Sequence, residues 1–339
     1  MTGATGFLGR HLVSRLLRDG VRVRVLARTT ANLDPTWRNR VDVCLGDLAV
    51  AGTAEHALED VEDIYNCAGA VADWGSCEFF QIGNVKTVTR LLDAARRQQP
   101  RRIVHVSTTD VYGYPGTPAT EDIFPKRCGL PYADSKLEAE GLLQAAASNE
   151  GLSIKIIRPA SIYGSGSKTL VLDVAEIADW PMVPVFGRGV EAGLVEVADV
   201  VEAMRLAMRE LDPSYQVYNV RGPEAVTWDR YITEIAALCD RRPRLVRVPL
   251  FVGETLAWIC EMAWRLPLPD RPPVSRVMVR LSGRPQLFSI EKAALRLGYH
   301  PSVSLTEGLA RLRPWLREAR ALPLAIDGPG PHAQIAPHA

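Results

Sequence analysis

No apolar run in this 339-residue chain approaches the roughly 18 residues that a membrane-spanning helix requires. The N-terminus also lacks a basic stretch followed by a hydrophobic core, so a secretory leader is not indicated and a cytoplasmic location is expected. Six cysteines are scattered with no CxxC pair, which excludes a zinc ribbon or a disulfide framework and leaves reduced core thiols as the expectation. The six histidines are equally dispersed, so no metal site is expected, and His105, inside an apolar run, reads as a packed residue. An excess of one charge is missing too: 40 basic and 39 acidic side chains leave a net +1. That balance excludes the electrostatic footprint of a nucleic-acid-binding protein.

What is present is ordinary globular composition, 47% hydrophobic and 23% charged, and an alternation of short β-rich runs with longer helical patterns. That alternation is the signature of a parallel sheet covered on both faces by helices. Five strands are legible at residues 21–28, 41–48, 63–69, 102–108 and 152–159. Leu8, Leu12, Leu16, Val13 and Leu17 recur at helical spacing before Gly20, and residues 84–95, 132–147, 197–209 and 228–239 read as further helices. After about residue 165 the alternation dissolves into Pro- and Trp-rich sequence. The expected fold is α/β, a Rossmann-type doubly wound parallel sheet with a smaller C-terminal substrate-binding lobe. Residues 1–164 and 194–222 would form the dinucleotide-binding part, 165–193 and 223–320 the lobe, and 321–339 a disordered tail.

The opening TGATGFLG places Gly3, Gly6 and Gly9 directly before a helical pattern. Such a loop lets backbone N–H groups approach a pyrophosphate at the positive end of a helix dipole. A tight turn is the plainer reading, and the following helix and strand favour the first. Arg28, some 20 residues on, stands where a Rossmann domain reads the ribose. A cation there accommodates the 2′-phosphate of NADP, with NAD the alternative cofactor. Asp47 has two readings, a partner for the adenine edge or a turn-initiating residue. One element is missing: no strand precedes the loop, because Met1 immediately precedes Thr2. In a doubly wound sheet that strand is central, so we expect the natural start to lie upstream.

YADSK at residues 132–136 sets Tyr132 and Lys136 four apart, on one face of a helix. A phenol ionises near pH ~10, too high for base chemistry at neutral pH, and a neighbouring ammonium lowers that value. With 9 tyrosines and 6 lysines in the chain this spacing is seldom accidental. Ser107, Thr108 and Thr109 end a strand at the sheet edge where open α/β folds bind ligands. A hydroxyl there can hold a substrate oxygen, although threonine also simply suits strands.

Together TGATGFLG, Asn84–Val85, VSTTDVYG, YADSK, RPASIYG, VEVADV and LGYHPSVSLTEGL resemble the extended short-chain dehydrogenase/reductase family, from residue 2 to about residue 315. The resemblance implies that Tyr132 is the acid/base and that Lys136 binds the nicotinamide ribose and depresses the tyrosine pKa. It implies further that Thr108 polarises the substrate oxygen and that Asn84 supports a proton relay. Gly3, Thr5, Gly6, Phe7, Leu8, Gly9, Arg28, Asp47, Leu48, Ala68, Lys136 and Pro159 would line the cofactor. A homodimer through the helices bearing YADSK and Asn84 is implied as well.

Three departures point to a branch. Dehydratases of the family follow the catalytic threonine with Asp and Glu, where this chain has Thr109 and Asp110. Nucleotide-sugar members carry a diphosphate-binding arginine where GRGVEAGLVEV has Ala192, with Arg188 the substitute at hand. Residues 250–268 read as an apolar helix with Glu254, Glu261, Arg265 and Trp258 on one face: a core helix, a wall for a lipophilic substrate, or a peripheral membrane contact. With motifs similar to the 3β-hydroxysteroid and sterol dehydrogenase branch, the expectation is an NAD(P)-dependent oxidoreductase. It would interconvert a secondary alcohol and a ketone on a small hydrophobic molecule, 3β-hydroxysteroid-like or β-keto acyl. The rivals are a nucleotide-sugar 4-epimerase and a non-catalytic dinucleotide sensor.

Overall fold

The computed structural model describes residues 1–212, 214–264 and 272–321. Four strands form its central parallel ladder in the order β3 (Asp63–Asn66), β4 (Arg102–Val106), β5 (Ile154–Pro159) and β9 (Gln216–Val220). A parallel pair, β1 (Val23–Ala27) and β2 (Val41–Leu45), continues the same layer. The join is made by two residues: the Thr2 N–H donates to Tyr65 O at 3.0 Å, the Cys67 N–H to Thr2 O at 3.3 Å, and the Leu26 N–H to Met1 O at 2.9 Å. Met1 and Thr2 thus occupy, at the carboxyl edge, the position for which the sequence shows no strand.

Both faces of the sheet are covered, which is why its strands read as apolar runs rather than alternating ones. One layer packs α1 (Phe7–Arg18), α7 (Val197–Arg209) and α11 (Glu291–Leu297) through Leu12, Leu16, Val200, Met204 and Ala293. The other packs α2 (Thr53–Leu58), α4 (Thr87–Gln98) and α5 (Pro131–Glu150) through Ala57, Leu91, Ala95, Ala139 and Leu143. Outside the central ladder lie two further parallel pairs, β6 (Ser161–Tyr163) with β8 (Leu194–Glu196) and β7 (Met182–Phe186) with β10 (Arg244–Val248). Around them lie α6 (Asp173–Ile177), α8 (Trp228–Leu238), α9 (Leu250–Ala263), α10 (Arg276–Gly283) and α12 (Leu305–Ala321).

Several expectations need correction. The helix expected from Asn84 is instead a short α3 (Cys77–Phe80), a π-helical stretch at Gln81–Lys86 and then α4. β9 had no sequence signal strong enough to name. Cys77 is exposed and only Cys44 is buried, so core thiols overstates the packing, although all six are free. The apolar helix ends at Ala263, and its inner side is Gly253, Ala257 and Glu261, while Trp258 is exposed. It is not an ordinary core helix, because its aliphatic residues point outward. Arg265 and most of the tail expected to be disordered lie outside the described residues.

At the centre of the fold, Arg158 on β5 forms a two-pronged ion pair with Glu140 on α5, at 3.0 and 2.5 Å, both side chains about 5% exposed or less. The Arg158 guanidinium also donates to the Tyr112 hydroxyl at 2.8 Å, which donates to Asn219 on β9 at 2.9 Å. Removing one member strands a buried charge. Glu140→Ala should therefore lower unfolding free energy by roughly 3–5 kcal/mol, read as a reduced denaturation midpoint in urea.

Candidate active site

The loop at residues 2–9 turns where only glycine fits. Gly3 has φ +65°, and a Cβ there would lie 2.4 Å from the Cys67 backbone; one on Gly9 would lie 2.0 Å from Gly3 O. The helix that follows, α1, starts at Gly6 with no side-chain cap and no acidic residue in its first turn. Its first N–H groups are left to accept an anion from outside the helix, as a pyrophosphate cradle requires.

Arg10 fastens this loop, donating to Thr5 O at 2.9 Å and to Asn32 O at 2.8 Å beyond β1. Arg28, at the end of β1, is exposed and has no ionic partner among the described residues, so its guanidinium is available to a ligand phosphate. Asp47 accepts the Ala49 N–H at 2.8 Å, the turn-forming role, while remaining exposed. Leu48 is buried in the second layer, Ala68 donates its N–H to the Thr2 hydroxyl at 3.3 Å, and Pro159 closes β5. Phe7 forms an edge-to-face pair with His11, whose ring meets Ser165 O at 2.8 Å.

The reactive groups gather where β4 ends. Thr108 caps the 3₁₀ turn Thr109–Tyr112, accepting the Asp110 N–H at 3.1 Å, and its hydroxyl lies near the Tyr132 phenol. Lys136, one turn along α5, is buried and donates to Val106 O at 2.6 Å. Asn84 is buried in the π-helical stretch: its Nδ2 donates to Ser135 Oγ at 2.9 Å and Ala70 O at 3.1 Å, and its Oδ1 accepts the Ala70 N–H at 2.8 Å. Gly69 sits between, where a Cβ would lie 2.9 Å from Asn84 Oδ1 and 3.7 Å from Lys136 Nζ.

The electrostatics depart from the sequence expectation. Burial pushes the Tyr132 phenol well above its usual range, Asp110 adds to that, and the Thr108 hydroxyl works the other way. Lys136 is not among the influences on Tyr132. Burial instead pulls the lysine down to about 8, with Glu140 opposing. The ammonium is directed at the Val106 carbonyl, and burial keeps Tyr132 a protonated donor rather than a phenolate. Burial raises Asp110 to about 6. Sequence reasoning left Asp110, Ser135 and the apolar surround without a role. Phe80 lies with its ring centroid 5.9 Å from that of Tyr132, and Tyr114, Leu130 and Ala133 pack with Val277 and Leu281 of α10. Only contact across 140 residues of sequence could have revealed α10.

These features fit a nicotinamide dinucleotide. The glycine cradle and uncapped helix suit its pyrophosphate. Among the described residues Ser107 Oγ is buried without a partner beside Thr108, and Lys136 stands one residue's width from Gly69.

Comparison with known proteins agrees. The model of the NAD dependent epimerase/dehydratase family matches residues 1–220. A 4-hydroxy-2-methyl-3-oxo-4-farnesyl-3,4-dihydroquinoline-1-oxide ketoreductase of Stigmatella aurantiaca is 28% identical, over 92% of this chain and 95% of its own. A 2-alkyl-3-oxoalkanoate reductase of Stenotrophomonas maltophilia is likewise 28% identical, over 92% and 97%. Among solved structures, MoeE5 in complex with UDP-glucuronic acid and NAD superposes with a TM-score of 0.75 at 25% identity, over 95% of this chain and 98% of that one. A match spanning well over half the sequence, carried by the same loop and helix that build the site, means that the chain belongs to the NAD dependent epimerase/dehydratase family of extended short-chain dehydrogenase/reductase enzymes.

Proposed function

We propose that this enzyme interconverts a ketone and a secondary alcohol on a lipophilic substrate, 3β-hydroxysteroid-like or β-keto acyl, with NADP(H) as coenzyme. The observation that carries this reading is a protonated Tyr132 phenol beside Thr108, with the Phe80 ring against it. Relatives named as reductases of farnesyl and alkyl ketones support the substrate class. Ala192 supports it from the other side, since it is fully buried and offers no guanidinium to a nucleotide diphosphate.

Hydride is supplied by the dihydronicotinamide when the coenzyme is bound. The Thr108 and Tyr132 hydroxyls hold the carbonyl oxygen, and Tyr132 Oη releases its proton to that oxygen as the alcohol forms. The Lys136 ammonium stabilises the phenolate left behind, and Asp110 opposes it, favouring return of the proton. Asn84 holds Ser135 and the Ala70 backbone together and so fixes the start of α5. Arg28 would bind the 2′-phosphate. Exposed Thr89, Ala145 and Asn149, with half-buried Leu142 and the Arg96–Glu150 pair beside them, give α4 and α5 a shared outer groove that we assign as a homodimer face, in a cytoplasmic enzyme.

The decisive experiment follows NADPH oxidation with 2-alkyl-3-oxoalkanoates and 3-ketosteroids, against UDP-sugars. Turnover of a lipophilic ketone is expected, lost by roughly 10²–10⁴-fold in Tyr132→Phe with coenzyme affinity retained. Turnover of UDP-sugars alone would overturn the reading.

Arg28→Glu should raise the KM for NADPH by roughly 10- to 100-fold and leave that for NADH within a few-fold, the loss expected for a charge-assisted phosphate contact. Equal effects on both coenzymes would remove Arg28 from the 2′-phosphate.

Lys136 loses its proton as pH rises through about 8, so kcat/KM for ketone reduction should fall with a one-proton limb above that pH. Lys136→Arg, which stays charged, should move the limb upward by more than about one unit. A profile unchanged by that substitution would assign the limb elsewhere.

A further inference from the structure

The helix α9 wears its amphipathicity inside out. Its inner side is Gly253, Ala257 and Glu261, with Glu261 paired to Arg276 at 2.6 Å and Glu254 to Arg280 and Arg284 at 3.2 and 3.0 Å. Its outer arc carries Phe251, Val252, Leu256, Trp258, Ile259 and Met262, which are 37–71% exposed. The one polar residue of that arc, Thr255, turns its hydroxyl back to Phe251 O at 2.8 Å. Helices normally place such a stripe against a core.

The apolar face continues onto the neighbouring strands. Val183, Val185 and Leu245 point into the lobe core, so Met182, Phe186, Arg244 and Val246 lie on the opposite sheet face. The side chain of Phe186 lies against Gly253, which seats α9 on that same face. Met182 and Val246 are exposed there. Arg242 and Arg244 are exposed beside them and have no ionic partner among the described residues, whereas Arg241 is matched by Asp179 at 2.9 Å. The near-neutral chain therefore hides a local patch that joins a greasy arc to free cations.

We propose that this face docks on the surface of a bilayer rich in anionic phospholipid, with α9 lying in the headgroup plane. The 14 residues of α9 span about 21 Å, too little to cross the hydrocarbon layer. Trp and Phe among aliphatics, bordered by arginine, are the composition of an interfacial helix. An anionic surface complements Arg242 and Arg244, while a second copy of this chain would bring the same cations with it. The face is separate from the reactive groups, since α10 carries the contact to Leu130 and Ala133.

Flotation of the full-length protein with phosphatidylcholine vesicles, with and without phosphatidylglycerol, tests this. Binding to the anionic vesicles is expected, weakened by salt. Leu256→Glu with Ile259→Glu should reduce it at least about tenfold, and Arg242→Glu with Arg244→Glu should abolish the preference for phosphatidylglycerol, both with unchanged melting temperature and NADPH affinity. No vesicle binding by the wild type, unaltered binding by both variants, or a change of oligomeric mass instead of vesicle binding would each overturn the proposal.

Discussion

The site exists because α5 is clamped to the sheet at charged, buried points. Glu140 grips Arg158 on β5, and one turn nearer the reactive end Lys136 is drawn onto the Val106 carbonyl of β4. A helix of 20 residues could rotate or slide against aliphatic side chains at modest cost, because Ala139, Leu143 and Ala146 offer smooth packing. Directed hydrogen bonds to two adjacent strands remove that freedom, and Tyr132 is consequently held against Thr108. The carboxyl edge of the sheet supplies the loops, and the clamp supplies the registration.

The protonation states follow from the same burial. Desolvation acts on acids and bases in opposite directions, raising Tyr132 and Asp110 and lowering Lys136. His105 is driven the same way as Lys136 and stays neutral, its Nδ1 meeting Asn66 at 2.8 Å beneath the site. The result at neutral pH is a phenol that keeps its proton.

Much of this was legible in the sequence, for local reasons. Glycine spacing and the YADSK register are set within a turn or two of chain, so the cradle and the Tyr132–Lys136 pair could be read directly. The strand boundaries came within one to three residues because buried parallel strands are short apolar runs. What escaped was non-local. The influence of Asp110 on Tyr132, the packing of Val277 from α10 against Leu130 and Ala133, and the outward turn of Trp258 all depend on which faces meet. Periodicity identified an apolar face on α9 but could not say which side of it the protein covers. The direction of the Lys136 ammonium escaped for a similar reason, because the spacing of four residues fixes proximity and not where the ammonium points.

The π-helical stretch at Gln81–Lys86 explains how Asn84 reaches inward from between α3 and α4. Such a stretch is formally one residue surplus to an α-helix and forfeits good i→i+4 bonding locally. Excising a single residue there would restore regular pitch and a sturdier rod, yet it would swing everything N-terminal to the cut by about a quarter turn or more. The molecule therefore keeps a local weakness in its scaffold for the sake of aim.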